Sequence, residues 1–239
     1  MPNYYPIMLD VRDRLALVIG GDRVAAEKAA ALSNSGARVT VMNAVFCDEL
    51  QDLAQMKAVT LRYKNYAYGD LEGAFVVVAS ATYEPELAQA IWQEAQERNQ
   101  LVNIVDVPKL CNFIVPSILR RGQLTISVST EGASPGLAKR IRQRLEKLFP
   151  NEYASYLRIA TVARQYLKEH ALSYAQRDAF FEAYFHSDIL ELLVEGDEVE
   201  ALATTVRLLR SHNVEVSAAT ILASMKETPI NNGSYLTTE

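Results

Sequence analysis

A doubly wound α/β fold built on a parallel sheet is predicted by three features of the sequence. Short apolar runs alternate with helical stretches between residues 15 and 105. One of these runs, 75–79 (FVVVA), is apolar on both faces, as a strand covered on both sides of a parallel sheet must be. The first run ends in Gly20-Gly21 and leads directly into an alanine-rich helical stretch.

The elements follow in order. Residues 15–19 (LALVI) form the first strand, 24–32 a helix stopped by Gly36, and 38–42 (RVTVM) a second strand rich in β-branched residues. Strand, glycine turn, helix and strand in this compass make one βαβ unit. Residues 46–56 read as a helix, and 59–63 and 75–79 as strands. Residues 85–98 read as a helix with proline in its first turn, and 101–105 (LVNIV) as a fifth strand.

After Pro108 the rhythm changes. Residues 113–116 and 124–129 (LTISVS) are expected as an antiparallel pair, with Arg120-Arg121-Gly122 turning between them. Residues 135–149 form a basic helix. From residue 151 to about 211 the pattern is helical, broken near His186-Ser187-Asp188 and Gly196-Asp197. A mobile tail is expected from Thr228 through Asn231-Asn232-Gly233-Ser234.

Composition narrows the function. The net charge of −5 gives no bulk attraction to nucleic acid or to an anionic membrane surface. No apolar run approaches the ~20 residues that span a bilayer, and the N-terminal residues lack a basic region followed by an apolar core. The two cysteines, Cys47 and Cys111, have no metal-binding spacing. His170, His186 and His212 do not form a metal motif either. A cytoplasmic protein without a resident metal, a nucleic-acid partner or a membrane partner is expected.

Four places carry chemistry. The turn Gly20-Gly21-Asp22-Arg23-Val24-Ala25 stands where a G-x-G-x-x-A dinucleotide fingerprint belongs, so the sheet is of Rossmann type. The first glycine makes the tight turn, Ala25 allows close packing of helix on strand, and the helix N-terminus offers amides to a diphosphate. Asp22 replaces the glycine that lets the diphosphate approach. Two like charges ~4 Å apart repel by about 1 kcal/mol in water and ~4 kcal/mol at an effective dielectric of about 20. NAD affinity is then expected to fall by roughly tenfold to a thousandfold, partly offset by Arg23. The plainer reading of Asp22 is an N-cap.

The adenosine end belongs near Asn43-Ala44-Val45. No acid is present there for the ribose hydroxyls and no base for a 2′-phosphate, which leaves Asn43 as the nearest ligand and favours NAD over NADP. Asn43 reads equally as a turn residue. Asp106 follows the fifth strand, at the strand ends where such sheets bind ligands, and partial burial would suit it to act as a general base. Its plain alternative is a cap before Pro108. Ser129-Thr130-Glu131-Gly132-Ala133-Ser134-Pro135 joins a strand to the basic helix bearing Lys139, Arg140, Arg142, Arg144 and Lys147. That arrangement suits a polycarboxylate, or is simply a capped and solvated helix.

These pieces, in series, resemble the precorrin-2 dehydrogenase and sirohydrochlorin ferrochelatase family, which includes the N-terminal module of sirohaem synthase. The resemblance rests on Tyr5-Pro6-Ile7-Met8-Leu9-Asp10, Leu17-Val18-Ile19-Gly20-Gly21, Gly36-Ala37-Arg38-Val39-Thr40-Val41 and Ala79-Ser80-Ala81-Thr82. It continues with Val102-Asn103-Ile104-Val105-Asp106, Phe113-Ile114-Val115-Pro116-Ser117-Ile118, and Leu124-Thr125-Ile126-Ser127-Val128-Ser129-Thr130 with Gly132-Ala133-Ser134-Pro135. It spans about residues 5 to 150. Asp22 stands where the family carries glycine, and Tyr83 where an acid is common.

The resemblance implies an NAD-binding Rossmann domain (1–112), a small β segment used for dimerisation together with the basic helix (113–150), and a helical C-terminal domain (151–227), before the tail (228–239). It implies oxidation of precorrin-2 to sirohydrochlorin with NAD, ferrous iron insertion in some members, and a homodimer. Cofactor contacts are implied at Gly20, Gly21, Asp22, Arg23, Val24, Asn43, Ala44, Val45, Ser80, Ala81 and Thr82. Asp106 falls at the family's key acid. Asn103, Ser129, Thr130, Gly132 and Ser134 fall at its tetrapyrrole site, with the basic helix facing a substrate of many carboxylates. Two alternatives stay open: a metal chelatase or tetrapyrrole carrier with a degraded NAD site, and a non-catalytic Rossmann protein that senses a nucleotide.

Overall fold

The computed structural model describes residues 4–227, so the expectation for the tail at 228–239 lies outside the described residues. The chain forms two compact units. Among the described residues, the first runs through Val115 and takes in Thr130–Ser134; the second holds Pro116–Ser129 and the chain from Pro135 to Glu227.

The first unit is the predicted doubly wound sheet. Strands β1 (Leu15–Ile19), β2 (Arg38–Asn43), β3 (Thr60–Tyr63), β4 (Val76–Ala79) and β5 (Leu101–Ile104) are all parallel, in the order β3-β2-β1-β4-β5. The period of two along each strand sends alternate side chains to opposite faces. Ala16, Val18, Val39, Val41, Val76 and Val78 enter one cluster, together with Ala25, Ala26 and Ala29 of helix α1 (Arg23–Asn34) and Leu50 of α2 (Asp48–Gln55). Leu17, Ile19, Met42, Val77, Ala79, Val102 and Ile104 enter the other, against Ala88, Ile91 and Ala95 of α3 (Pro85–Glu97). Both faces of the sheet are therefore dry. Each large aliphatic side chain so buried contributes about 1.5–3 kcal/mol.

A buried carboxylate fixes the connection between β3 and β4. Glu94, on α3, is fully buried. It accepts from the hydroxyl of Tyr66 at 2.6 Å, the amide of Gly69 at 2.9 Å, the amide of Leu71 at 3.3 Å and Nε of Arg98 at 2.8 Å. Nearby, Nε2 of Gln100 donates to the carbonyls of Leu71 and Ala74. Burial, reinforced by the bond to Glu94, pushes the Tyr66 phenol well above its ordinary range.

The second unit begins with an antiparallel hairpin, β6 (Ser117–Arg121) and β7 (Leu124–Val128). The strand expected at 113–116 begins instead at Ser117, because Pro116 has no N–H to offer a ladder. The turn is correspondingly later. Arg121 pairs with Leu124, leaving Gly122-Gln123 as a two-residue connection with Gly122 at φ 57°. Helix α4 (Pro135–Leu148) packs on this hairpin.

Helices α5 (Tyr153–Glu169), α6 (Tyr174–Phe185), α7 (Ile189–Glu195), α8 (Glu198–Ser211) and α9 (Ala218–Glu227) share a separate core. The breaks at 186–188 and 196–197 fall as expected, while the break at 170–173 and helix α9 carried no strong sequence signal. Ser173 starts α6 with a capping box closed by Gln176. At the centre the rings of Tyr156 and Tyr184 stack 4.8 Å apart, and the Tyr184 hydroxyl donates to the Tyr156 carbonyl at 2.8 Å.

Because Glu94 satisfies four donors from a dry position, Glu94→Ala is expected to cost about 3 kcal/mol. Guanidinium unfolding should show a lower midpoint with an unchanged slope.

Candidate dinucleotide and acid site

In an open parallel sheet the carboxyl ends of two strands diverge where the strand order reverses, and ligands bind there. Here that point lies between β1 and β4, since β1 connects onward to β2 on its other side. Two loops border it, the glycine turn after β1 and residues 80–83 after β4, and residues 105–107 after β5 adjoin the second.

The glycine turn is crowded by the chain's own backbone. Gly20 has φ 140°, and a Cβ there would lie 2.9 Å from Cβ of Ser80 and 3.2 Å from Cβ of Ala25. Ala25 thus allows the close helix–strand contact that the fingerprint requires. A Cβ on Gly21 would clash with the Val45 carbonyl oxygen and with Nδ2 of Asn43. The chain after β2 folds over the turn: the Cys47 amide donates to the Gly21 carbonyl at 2.7 Å, and Nδ2 of Asn43 donates to the Val45 carbonyl at 2.7 Å. Asn43 therefore closes its own loop, while Ala44 and Val45 stay exposed beside it.

Asp22 is the N-cap of α1. Its Oδ1 accepts from the Ala25 amide at 2.8 Å, and its Oδ2 accepts from the Ser80 hydroxyl at 2.7 Å. The second bond joins the β1 turn to the β4 loop. Arg23, expected to offset the Asp22 charge, instead reaches Glu49 of α2 at 3.8 Å with both side chains largely in solvent. The first-turn amides of Arg23 and Val24 have no partner within the helix.

The β4 loop is held on its other side as well. Thr82 Oγ1 donates to the Val105 carbonyl at 3.0 Å, Ala81 is buried, and Tyr83 stands 95% exposed. A continuous set of contacts thus leads from Asp22 through Ser80 and Thr82 to the turn that carries Asp106. Asp106 itself is exposed, which corrects the expectation of partial burial. Strand β5 ends at Ile104, and the turn that follows, with Asp106 at φ 59°, lifts the carboxylate off the sheet end into solvent. Aspartate tolerates this left-handed conformation better than most residues.

Asn103 lies on β5 but serves the backbone. Its Nδ2 donates to the Phe113 carbonyl at 3.0 Å and approaches Sγ of Cys111 at 3.6 Å. Asn112 adds a bond from the Val102 amide to its Oδ1 at 2.8 Å, and its Nδ2 donates to the Gln100 carbonyl at 2.7 Å. Sequence reasoning missed Cys111 and Asn112, because nothing in their spacing marks a tie to a strand ten residues earlier. Burial pushes the Cys111 thiol above its ordinary range.

The loop before α4 is a compact turn. Thr130 Oγ1 accepts from the Ser134 amide at 3.0 Å, the Ala133 amide donates to the Thr130 carbonyl at 2.8 Å, and Glu131 and Gly132 take φ 51° and 87°. Ser129 and Gly132 are exposed and Ser134 is half-buried. On α4, Lys139, Arg140, Arg144 and Lys147 face solvent, while Arg142 pairs with Glu146. Among the described residues no cluster of His, Cys, Asp and Glu is placed to hold a metal ion, and no helix is long and apolar enough to cross a membrane.

The fold and the glycine turn define a protein of the dinucleotide-binding α/β class, and family comparisons narrow the class. Residues 7–117 match the NAD(P)-binding family model NAD_binding_7, and residues 121–148 match the sirohaem biosynthesis protein central model. The sirohaem synthase of Methylobacillus flagellatus is 38% identical over 200 residues, covering 82% of this chain and 42% of that protein. The sirohaem synthase of Nitrosococcus oceani is 34% identical over 199 residues, 83% of this chain and 42% of that protein. The chain thus spans less than half the length of these curated relatives. A solved structure of SirC, a precorrin-2 dehydrogenase, superposes with a TM-score of 0.72 at 24% identity, covering 84% of this chain and 98% of that one, and so shares the fold. The chain is thus similar to the sirohaem synthases, through an NAD(P)-binding segment followed by a sirohaem-biosynthesis central segment.

The contact of Gly21 with the Val45 carbonyl admits no side chain. Gly21→Ala is expected to cost about 2 kcal/mol through overpacking, measured as a lowered thermal or denaturant midpoint.

Proposed function

We propose that the chain is an NAD-dependent precorrin-2 dehydrogenase acting in sirohaem biosynthesis. The observation that carries this reading is the placing of Asp106 at the carboxyl end of β5, linked through Thr82 and Ser80 to the glycine turn at the switch point. The tandem match to NAD(P)-binding and sirohaem biosynthesis models supports it.

The residues fit a dinucleotide at three points. The tight turn at Gly20 and Gly21, the small Ala25 and the first-turn amides of Arg23 and Val24 provide the diphosphate end. Residues 43–45 border the adenosine end, and Ser80, Ala81 and Thr82 line the path toward Asp106. Asp22 is the discordant group at the diphosphate end. Bound there, NAD supplies the hydride acceptor.

The chain's own residues do the rest. Asp106 takes the proton that the macrocycle releases on oxidation and passes it to solvent, which its exposure allows. Thr130, Gly132 and Ser134 hold the tetrapyrrole. Asn103 contributes by fixing the segment at Phe113. The working form on this reading is a cytoplasmic homodimer paired through the β6–β7 hairpin.

The Asp22–Ser80 bond favours a second reading, in which the chain inserts ferrous iron into sirohydrochlorin, or carries the tetrapyrrole, without NAD. Asp106 then collects pyrrole protons. Incubating the protein with precorrin-2, NAD and ferrous iron, and omitting each in turn, separates the two. Sirohydrochlorin formation that requires NAD supports the dehydrogenase. Iron insertion into sirohydrochlorin, supplied in place of precorrin-2, with no NAD requirement and with no oxidation of precorrin-2, supports the second reading, and failure to bind any tetrapyrrole removes both.

Asp106→Asn keeps the side-chain shape and tolerates the same backbone conformation. It is expected to lower turnover by about 10²–10⁴-fold with an unchanged circular dichroism spectrum. Wild-type rates in this variant would remove Asp106 from the mechanism.

A further inference from the structure

The carboxylate of Asp22 lies where an anion is most strongly attracted in this fold. It sits at the N-terminus of α1, accepts the Ala25 amide with one oxygen and closes the switch-point crevice with the other, through Ser80. Space is tight at that level: a Cβ on Gly20 would lie 2.9 Å from Cβ of Ser80. An incoming diphosphate seeks the same helix end. It meets a negative charge already in place, and the Arg23 cation that stands next in sequence is drawn away toward Glu49.

We propose that Asp22, held across the crevice by Ser80, is a built-in anion that competes with the diphosphate for the α1 N-terminus and so sets the chain's affinity for dinucleotides. This rests on the dinucleotide reading given above and makes Asp22 its specificity-determining residue. The cofactor enters by breaking the Asp22–Ser80 hydrogen bond. The freed Ser80 hydroxyl then becomes a donor for a phosphate oxygen, while the Asp22 carboxylate turns out of the crevice. The penalty falls only on ligands with charge at the diphosphate position. Adenosine, which stops short of it, escapes.

Substitution at position 22 is well suited to a test, because glycine and asparagine both serve as N-caps and leave α1 able to form. Binding of NAD, ADP-ribose and adenosine is measured by calorimetry on the full chain, for the wild type and for Asp22→Gly, Asp22→Asn and Ser80→Ala. Asp22→Gly is expected to tighten NAD and ADP-ribose about tenfold or more and to leave adenosine unchanged. Asp22→Asn keeps the shape without the charge and should recover most of that gain. Ser80→Ala unties the carboxylate but also removes the phosphate donor, so its gain should be smaller than that of Asp22→Gly.

Equal NAD affinity in the wild type and Asp22→Gly overturns the proposal. So does a gain in Asp22→Gly that is absent from Asp22→Asn, since the obstacle would then be bulk and not charge. A gain shared equally by adenosine also overturns it. If neither the wild type nor Asp22→Gly binds NAD while both retain native helix content and melting behaviour, the dinucleotide reading itself fails, and the proposal with it.

Discussion

The first unit depends on how closely its backbone segments approach one another at the end of β1. A side chain on Gly20 would crowd Ser80 and Ala25, and one on Gly21 would clash with the Val45 carbonyl. These approaches bring the ends of β1, β2 and β4 to one place, and they leave no room for side chains. The two apolar clusters on either side of the sheet make the approach stable, because the strands that end here are buried on both faces. Packing therefore fixes the site before any ligand arrives.

The sheet was legible because its signals are local. The alternation of apolar runs with alanine-rich and amphipathic stretches placed all five strands and α1, α2 and α3 to within a few residues. Gly20 and Ala25 disclosed the turn through their small size. The strand near residue 113 was misplaced because an apolar run next to proline looks extended whether or not it joins a ladder. Only the tertiary bonds from Asn103 and Asn112 show what that segment does instead. The end of α5 near His170 was hidden for a different reason: its continuation is as helical in composition as what precedes it.

The site residues divide along the same line. Asp22 as an N-cap was readable, since it depends on the next three residues. Its bond to Ser80 was not, because it joins positions 58 residues apart in sequence. Arg23 pairs with Glu49 for a similarly non-local reason. Asp106 fell at the expected strand end, but its exposure depends on the left-handed turn, which periodicity does not report. Asn43 and Asn103 carry amides that suit a ligand equally well in sequence, yet both spend their donors on backbone carbonyls.

The stretch around Cys111 has a consequence for how the molecule behaves among its neighbours. A terminal strand of an open sheet normally displays a row of free amides and carbonyls, an invitation to any passing extended chain. On the β5 side that row is already occupied: Cys111 bridges Asn103 in antiparallel fashion, and Asn112 holds the backbone of Gln100 and Val102. The opposite margin, β3, is only four residues long and carries a charged arginine, Arg62. The sheet is thus closed to growth along β5 and a poor template along β3, which guards the protein against aggregation through its most hydrophobic layer.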